Sequence, residues 1–268
     1  MLAPTTEIML LELLASSIFA VLLVCLRRLP VKDWKRLGIA ASLGLVEPGA
    51  AYLFFALGVS RTTATSATLI DALQPVVILF VARMFFREFV APAVFPLIAI
   101  ALAATAVAVG SPFLANGLQL EGDLLVAFGM TLAAVHSVLM KRTFADIEPA
   151  IVAAAQQIAG VIVLAGAAVI YGQTWSYTNL SAIDLMLTAV AGILTIAIPF
   201  MLYVSAVRKI SGASVGIAIA FIPVSGLTLS AYVLHEALST MQIIGACVVV
   251  CALFAAAIIE GRFKFIPR

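Results

Sequence analysis

SATLIDALQPVVILFVARMFFRE occupies residues 66–88, and SVGIAIAFIPVSGLTLSAYVLHE occupies residues 214–236. Laid over one another without a gap, they match at Ser66/Ser214, Ala72/Ala220, Pro75/Pro223, Val76/Val224 and Glu88/Glu236. Each has a proline inside an apolar run and a glutamate 13 residues beyond it. The same shift of 148 residues (214 minus 66) carries Gly44 onto Gly192 and Arg61 onto Lys209. Three consecutive apolar runs, 37–58, 64–83 and 90–110, thereby meet 185–206, 213–233 and 240–259.

Working outward, further apolar runs fall at 7–27, 124–141 and 150–171. Each run is long enough for a bilayer core of about 30 Å. They are too long and too continuous for barrel strands, which alternate in polarity. Of 268 residues, 64% are hydrophobic and 10% charged, with a mean hydropathy of +1.21. A soluble domain is about 45–50% apolar and about 25% charged. An ordinary cytosolic enzyme, a disordered chain and a nucleic-acid partner are excluded together. The fold class is an all-α polytopic membrane protein with nine transmembrane helices, and the function must sit among the spans.

With the 27–36 connection taken as cytoplasmic, 14 of the 15 Lys and Arg residues fall on that side and only Arg61 on the other. This follows the positive-inside rule and puts the C-terminus in the cytoplasm. No Lys or Arg precedes Arg27, which argues against a removable signal peptide. Cys25, Cys247 and Cys251 are odd in number and lie within apolar runs, so a disulfide framework is not expected.

The charge map places Glu88 inside and Glu236 outside, so the two halves run in opposite directions. That is the inverted repeat of secondary transporters. Inversion needs an odd number of spans per half, yet the first half has four and the second five. The expectation is an architecture of four plus five, with a counterpart of span 124–141 missing before Met1. The corresponding domains are a first repeat at 1–110, an external linker at 111–123, a second repeat at 124–260 and a cytoplasmic tail at 261–268.

Residues 32–88, 122–142 and 206–250 resemble helices of the EamA-like family of the drug/metabolite transporter superfamily. The third and fourth helices of the first repeat match KDWKRLGIAASLGLVEPGAAYLFFALGVSRTTATSATLIDALQPVVILFVARMFFRE, and the opening helix of the second repeat matches GDLLVAFGMTLAAVHSVLMKR. The last two helices match AVRKISGASVGIAIAFIPVSGLTLSAYVLHEALSTMQIIGACVVV. The resemblance implies ten helices in two inverted five-helix repeats, a central cavity, gating helix pairs and transport of small metabolites or drugs, commonly outward.

Candidate site residues follow from polarity in hydrocarbon, where a carboxylate costs about 2.5–3.5 kcal/mol on insertion scales. Glu47 and Asp71 lie near the middle of two spans joined near Arg61, at depths that differ by about 6 Å at 1.5 Å per residue. One cavity could serve both, either as substrate or proton sites or as protonated groups bonded to a neighbouring helix. Their repeat counterparts are Thr195 and Ile219, so the fold's second copy needs no acid at either place. Glu12 either faces the same cavity or snorkels to the interface. Gln74, one turn from Asp71, either orients a substrate amine or satisfies the backbone. Gln156 and Gln157 read as interhelical contacts, and His136 as a packing histidine. Tyr52 and Tyr203, with Phe55, Phe200 and Phe221, are candidate cavity walls. Pro48, Pro75, Pro199 and Pro223 are candidate kinks for gating. The pairs Ala99/Ala103, Ala104/Ala108 and Ala252/Ala256 permit close helix contact, within the chain or across a homodimer seam.

No HExxH, clustered metal ligands or phosphate loop occurs, since His235-Glu236 runs on into Ala-Leu-Ser. The expected function is a secondary transporter of the bacterial inner membrane, with no cofactor and no metal, exporting a small metabolite by alternating access with a proton as coupling partner. A membrane-embedded enzyme or a structural subunit is the competing class. Acids without intramembrane Arg or Lys favour cationic, zwitterionic or neutral solutes such as amino acids, amines and amphipathic drugs.

Overall fold

The computed structural model describes residues 4–86, 91–109, 117–143, 147–170, 180–209, 222–233, 235 and 237–263. Among them every regular element is helical. In chain order these are α1 (Pro4–Leu26), α2 (Trp34–Gly44), a π-helical segment π1 (Leu45–Ala50) and α3 (Ala51–Val59). Next come α4 (Ala64–Asp71), α5 (Gln74–Phe86), α6 (Val94–Val109), α7 (Gly117–Thr143) and α8 (Pro149–Ile170). The chain continues through α9 (Ala182–Gly192), a second π segment π2 (Ile193–Ala197), α10 (Ile198–Lys209), α11 (Ile222–Val233) and α12 (Thr240–Phe263).

Seven helical stretches among the described residues are long and apolar enough to cross a membrane. They are Thr5–Leu26, Trp34–Val59, Ala64–Phe85, Gln119–Met140, Pro149–Ile170, Ala182–Ser205 and Thr240–Ile259. A shorter apolar helix, Val94–Thr105, falls on the expected run 90–110. The expected run 213–233 is described only from Ile222 onward. Glu88, Glu236 and Phe221 lie outside the described residues. The chain is an all-helical membrane protein.

Helix starts follow local chemistry. Asp33 accepts from the Arg36 N–H at 3.0 Å to open α2, and the Thr63 hydroxyl accepts from the Ser66 N–H at 3.1 Å to open α4. Ser181 and Asp184 form a reciprocal capping box at α9. Ser239 and Gln242 do the same at α12, with bonds of 2.8 and 3.2 Å. Such caps satisfy amides that the first helical turn leaves without carbonyl partners.

The repeat read from sequence reappears in these boundaries. Shifting α2 (34–44) by 148 gives 182–192, the bounds of α9. The caps Asp33 and Ser181 correspond under the same shift, and π1 and π2 both begin directly after the paired glycines. The packing also exchanges between the halves. α2 and π1 pack against α8, while α9 and π2 pack against α1. Four spans lie between the one that α2 opens and the one that α9 opens, so five reversing connections, an odd number, leave the two helices running in opposite directions. This is an inverted repeat.

The chain forms two compact units, each drawn from both halves. The first comprises residues 1–57 and 139–208. On α1, Leu10, Leu13, Ser16 and Ala20 are buried, whereas Ile8, Leu14, Ile18 and Leu22 are exposed. An apolar outer face of this kind suits lipid. Gly44 fits directly on the Gln156 backbone and Gly192 on the Glu12 backbone, so any Cβ at either position would collide. These crossings fix a register across α1 and α8: Glu12 and Gln156 are counterparts, a shift of 144 (156 minus 12), one helical turn away from the 148 of the other helices.

The second unit comprises residues 58–138 and 209–268. There α6 packs along α12, and α4 packs against α6 and α11. A Cβ on Gly245 would meet Ala108 Cβ and the Ala104 carbonyl. Ala252 and Ala256 are also buried, so these small residues serve internal packing, while Ala99 and Ala103 remain exposed. The three cysteines are free and exposed.

Candidate functional site

In the first unit the candidate residues gather where helices are interrupted by proline. A proline disfavours the helical conformation in the residue before it. Glu47 accordingly adopts φ −142° and ψ 126°, an extended conformation inside the span, and the Glu47–Pro48 peptide is cis. Pro48 and Gly49 are buried. They enter a face of α8 that has room for them only because residue 160 is glycine. A Cβ there would stand 2.7 Å from Pro48 Cγ and 3.0 Å from Leu13 Cδ2. Gly49 is seated equally closely on Val163. Tyr52 packs against the buried cluster of Leu10, Leu13, Leu164 and Ile196. Pro48, which follows Glu47, and Tyr52 thus both lie beside Leu13, the residue after Glu12. Glu47, Glu12 and Tyr52 are half-buried.

The second copy of this interruption has different chemistry. Pro199 is exposed in the first turn of α10 and lacks the N–H that would bond to the Thr195 carbonyl. The longer-range bonds of π2 take up that irregularity. Thr195, the counterpart of Glu47, donates its hydroxyl to the Ala191 carbonyl at 2.8 Å. Tyr203 and Phe200 pack on another cluster, Ala40, Met140, Val152 and Val204, apart from the one that holds Tyr52.

Two buried glutamines lie on α8, each about 1% exposed or less. The Ser16 hydroxyl donates to Gln157 Oε1 at 2.8 Å and joins α1 to α8. Gln157 Nε2 is buried with no hydrogen-bond partner among the described residues. The glutamines stand out in the sequence and Ser16 does not, because a serine in an apolar helix has no pattern to mark it.

In the second unit the span 64–85 is interrupted between Asp71 and Gln74. Pro75, the second residue of α5, cannot donate to the Asp71 carbonyl four residues back. The chain tightens instead, with Leu73 N–H bonded to Ile70 O and Val76 N–H to Leu73 O, at 3.0 and 2.9 Å. Asp71 and Gln74 are half-buried on either side of the interruption. Pro223 is likewise the second residue of α11. His136 is fully buried on α7.

A further polar group was not foreseen. The Thr62 hydroxyl donates to Asp123 Oδ1, and Arg61 Nε pairs with Glu121 Oε1 at 3.7 Å. Between these acids lies Gly122, in close contact with the Arg61 backbone and the Gly58 carbonyl. The segment Glu121-Gly122-Asp123 therefore clamps the turn between α3 and α4. Its only sequence signal is Arg61, the one basic residue that the charge map expects on its side. Among the described residues, no three His, Cys, Asp or Glu side chains are arranged to hold a metal.

Inverted repeats, interrupted spans and polar side chains within them define a helical membrane protein of the transporter class. The profile of the EamA-like transporter family matches residues 2–110 and 120–258. The chain belongs to that family, whose members are membrane transporters of small molecules. Among solved structures, the crystal structure of one protein superposes with a TM-score of 0.71 at 18% identity. The match covers 96% of this chain and 89% of that one, and it establishes likeness of fold. No curated protein matches the sequence.

Proposed function

We propose that the chain is a secondary transporter that moves a small cationic, zwitterionic or neutral organic solute out of the cell by alternating access. In this reading it resides in the bacterial inner membrane with its C-terminus in the cytoplasm. Amino acids, amines and amphipathic drugs are the substrate classes. Glu47 carries a coupling proton, with Glu12 and Asp71 as further acidic positions and Gln74, Tyr52 and Tyr203 as substrate contacts. Pro48, Pro75, Pro199 and Pro223 let their spans bend during gating.

The observation that carries the reading is the pair of repeat-related interruptions at π1 and π2, only one of which bears an acid. Reconstitution into proteoliposomes tests it, with a panel of amino acids and cationic drugs and an imposed pH gradient. Solute accumulation should follow the gradient and collapse with a protonophore. Flux that ignores every imposed proton or solute gradient would overturn the reading.

A further inference from the structure

At one end of the first unit lies a cavity of about 270 Å³ that the transport reading does not use. It is formed by the connection between α1 and α2, the first turn of α2 and the start of α8. Its depth is set by its walls. α1 ends at Leu26, α2 begins at Trp34 and α8 begins at Pro149, so the cavity lies where three spans leave the hydrocarbon. Trp34 is 74% exposed there, the position that amphipathic aromatic rings take at the membrane interface.

The lining has two characters. Leu29, Val31 and Ile151 supply apolar wall, and Lys32, Arg36 and Glu148 supply charge. The Asp33 carboxylate, also in the lining, accepts the Arg36 N–H and is committed to capping α2. The surrounding segment 27–36 holds five basic residues, Arg27, Arg28, Lys32, Lys35 and Arg36, against one acid. Juxtamembrane basic residues attract anionic lipid by about 1 kcal/mol each. A preformed concavity can add selectivity to that general attraction.

We infer that this cavity binds the headgroup of an anionic glycerophospholipid bearing free hydroxyls. Lys32 and Arg36 take the phosphate, the Glu148 carboxylate accepts from headgroup hydroxyls, and the Leu29, Val31 and Ile151 wall takes the start of the acyl chains. Glu148 makes the selection: it disfavours a second negative charge and favours hydroxyl donors, so phosphatidylglycerol fits better than doubly ionised phosphatidic acid, which has no headgroup hydroxyl.

The test is native mass spectrometry and thermal unfolding of the full chain, with phosphatidylglycerol, phosphatidic acid and phosphatidylcholine added in turn. Phosphatidylglycerol should be retained in a 1:1 complex and raise the unfolding temperature above that in phosphatidylcholine. Lys32→Gln/Arg36→Gln should reduce retention at least tenfold. Arg28→Gln/Lys35→Gln removes the same charge outside the cavity and should reduce it less than threefold. Equal losses in the two double variants would overturn the inference in favour of a diffuse basic surface. Val31→Trp fills the cavity without changing charge and should also abolish retention. Its unfolding temperature in phosphatidylcholine reports whether it folds, and a folded Val31→Trp that still retains the lipid would overturn the inference too. Glu148→Gln should narrow the preference for phosphatidylglycerol over phosphatidic acid, and an unchanged preference would refute the role of Glu148.

Discussion

Gly44→Ala isolates the close helix crossing on which the first unit depends. A Cβ at Gly44 meets the O, Cα and C atoms of Gln156, backbone atoms that no rotamer change can move aside. Restoring van der Waals distance requires α2 and α8 to separate by about 1 Å, which forfeits about a quarter to a half of each dispersion contact across the crossing. Overpacking of this kind costs about 1–3 kcal/mol. The alanine also gains up to about 1 kcal/mol of helix propensity over glycine, so the bare variant understates the clash. Gly38 lies on the same helix with nothing within 4 Å of a built Cβ, and Gly38→Ala collects the propensity gain alone. The difference between the two variants is therefore the clash itself. At about 2–4 °C per kcal/mol, Gly44→Ala should melt roughly 2–12 °C below Gly38→Ala in thermal unfolding in one detergent. Gly192→Ala, facing the Glu12 backbone, should fall below Gly166→Ala, which also has open space. Equal melting temperatures for Gly44→Ala and Gly38→Ala would refute the close approach.

Ser16→Ala leaves Gln157 Oε1 buried without its donor and should cost about 1–3 kcal/mol, whereas Ser17→Ala, which removes only a bond to the Leu14 carbonyl one turn back, should cost less. Denaturant or thermal unfolding of both variants in one detergent makes the comparison. Glu121→Gln removes an ion pair whose side chains are 31% and 57% exposed, and should change stability by less than about 1 kcal/mol. Thr62→Val should cost more, because the half-buried Asp123 carboxylate loses its hydroxyl donor. Glu47→Gln should flatten the pH dependence of transport in proteoliposomes, and Thr195→Val should leave that dependence intact. A pH profile unchanged by Glu47→Gln would remove the proton-carrier role.

The sequence made the helices, the repeat and the interrupted spans legible because each leaves a periodic or local mark. Apolar runs report length, prolines report missing amide donors, and the pair Gly44/Gly192 reports a shared backbone need. Even the capping residues Asp33, Thr63, Ser181 and Ser239 stand where the runs begin. The partner of each glycine was not legible. Gly44 could be matched to Gly192 by alignment, but that Gln156 and Glu12 lie beneath them follows only from packing. The one-turn offset between α1 and α8 hid it further, since the 148-residue shift aligns Glu12 with Gly160 rather than with Gln156. The Ser16–Gln157 bond and the clamp on the Arg61 turn were hidden for the same reason. Long-range pairs between single residues impose no spacing on the chain.

The register across α1 and α8 also bears on which polar residues belong together. Glu12 and Gln156 are counterparts at the two glycine crossings, so both halves place a hydrogen-bonding side chain on the residue that another helix presses upon. One is a half-buried acid and the other a buried amide. The π segments differ in the same sense. The first half has Glu47 where the second has Thr195, whose hydroxyl is bonded to its own helix. At both positions the first half carries the ionisable group and the second a neutral hydrogen-bonding one. The glycine crossing does not demand that difference, because both halves build it with either residue, although π1 turns at the extended Glu47 and π2 has no such interruption. What the acids add is ionisable character, and two acids in one half give a symmetric scaffold an asymmetric electrostatic profile. Such a profile suits the handling of a cation or a proton far better than it suits the packing of helices.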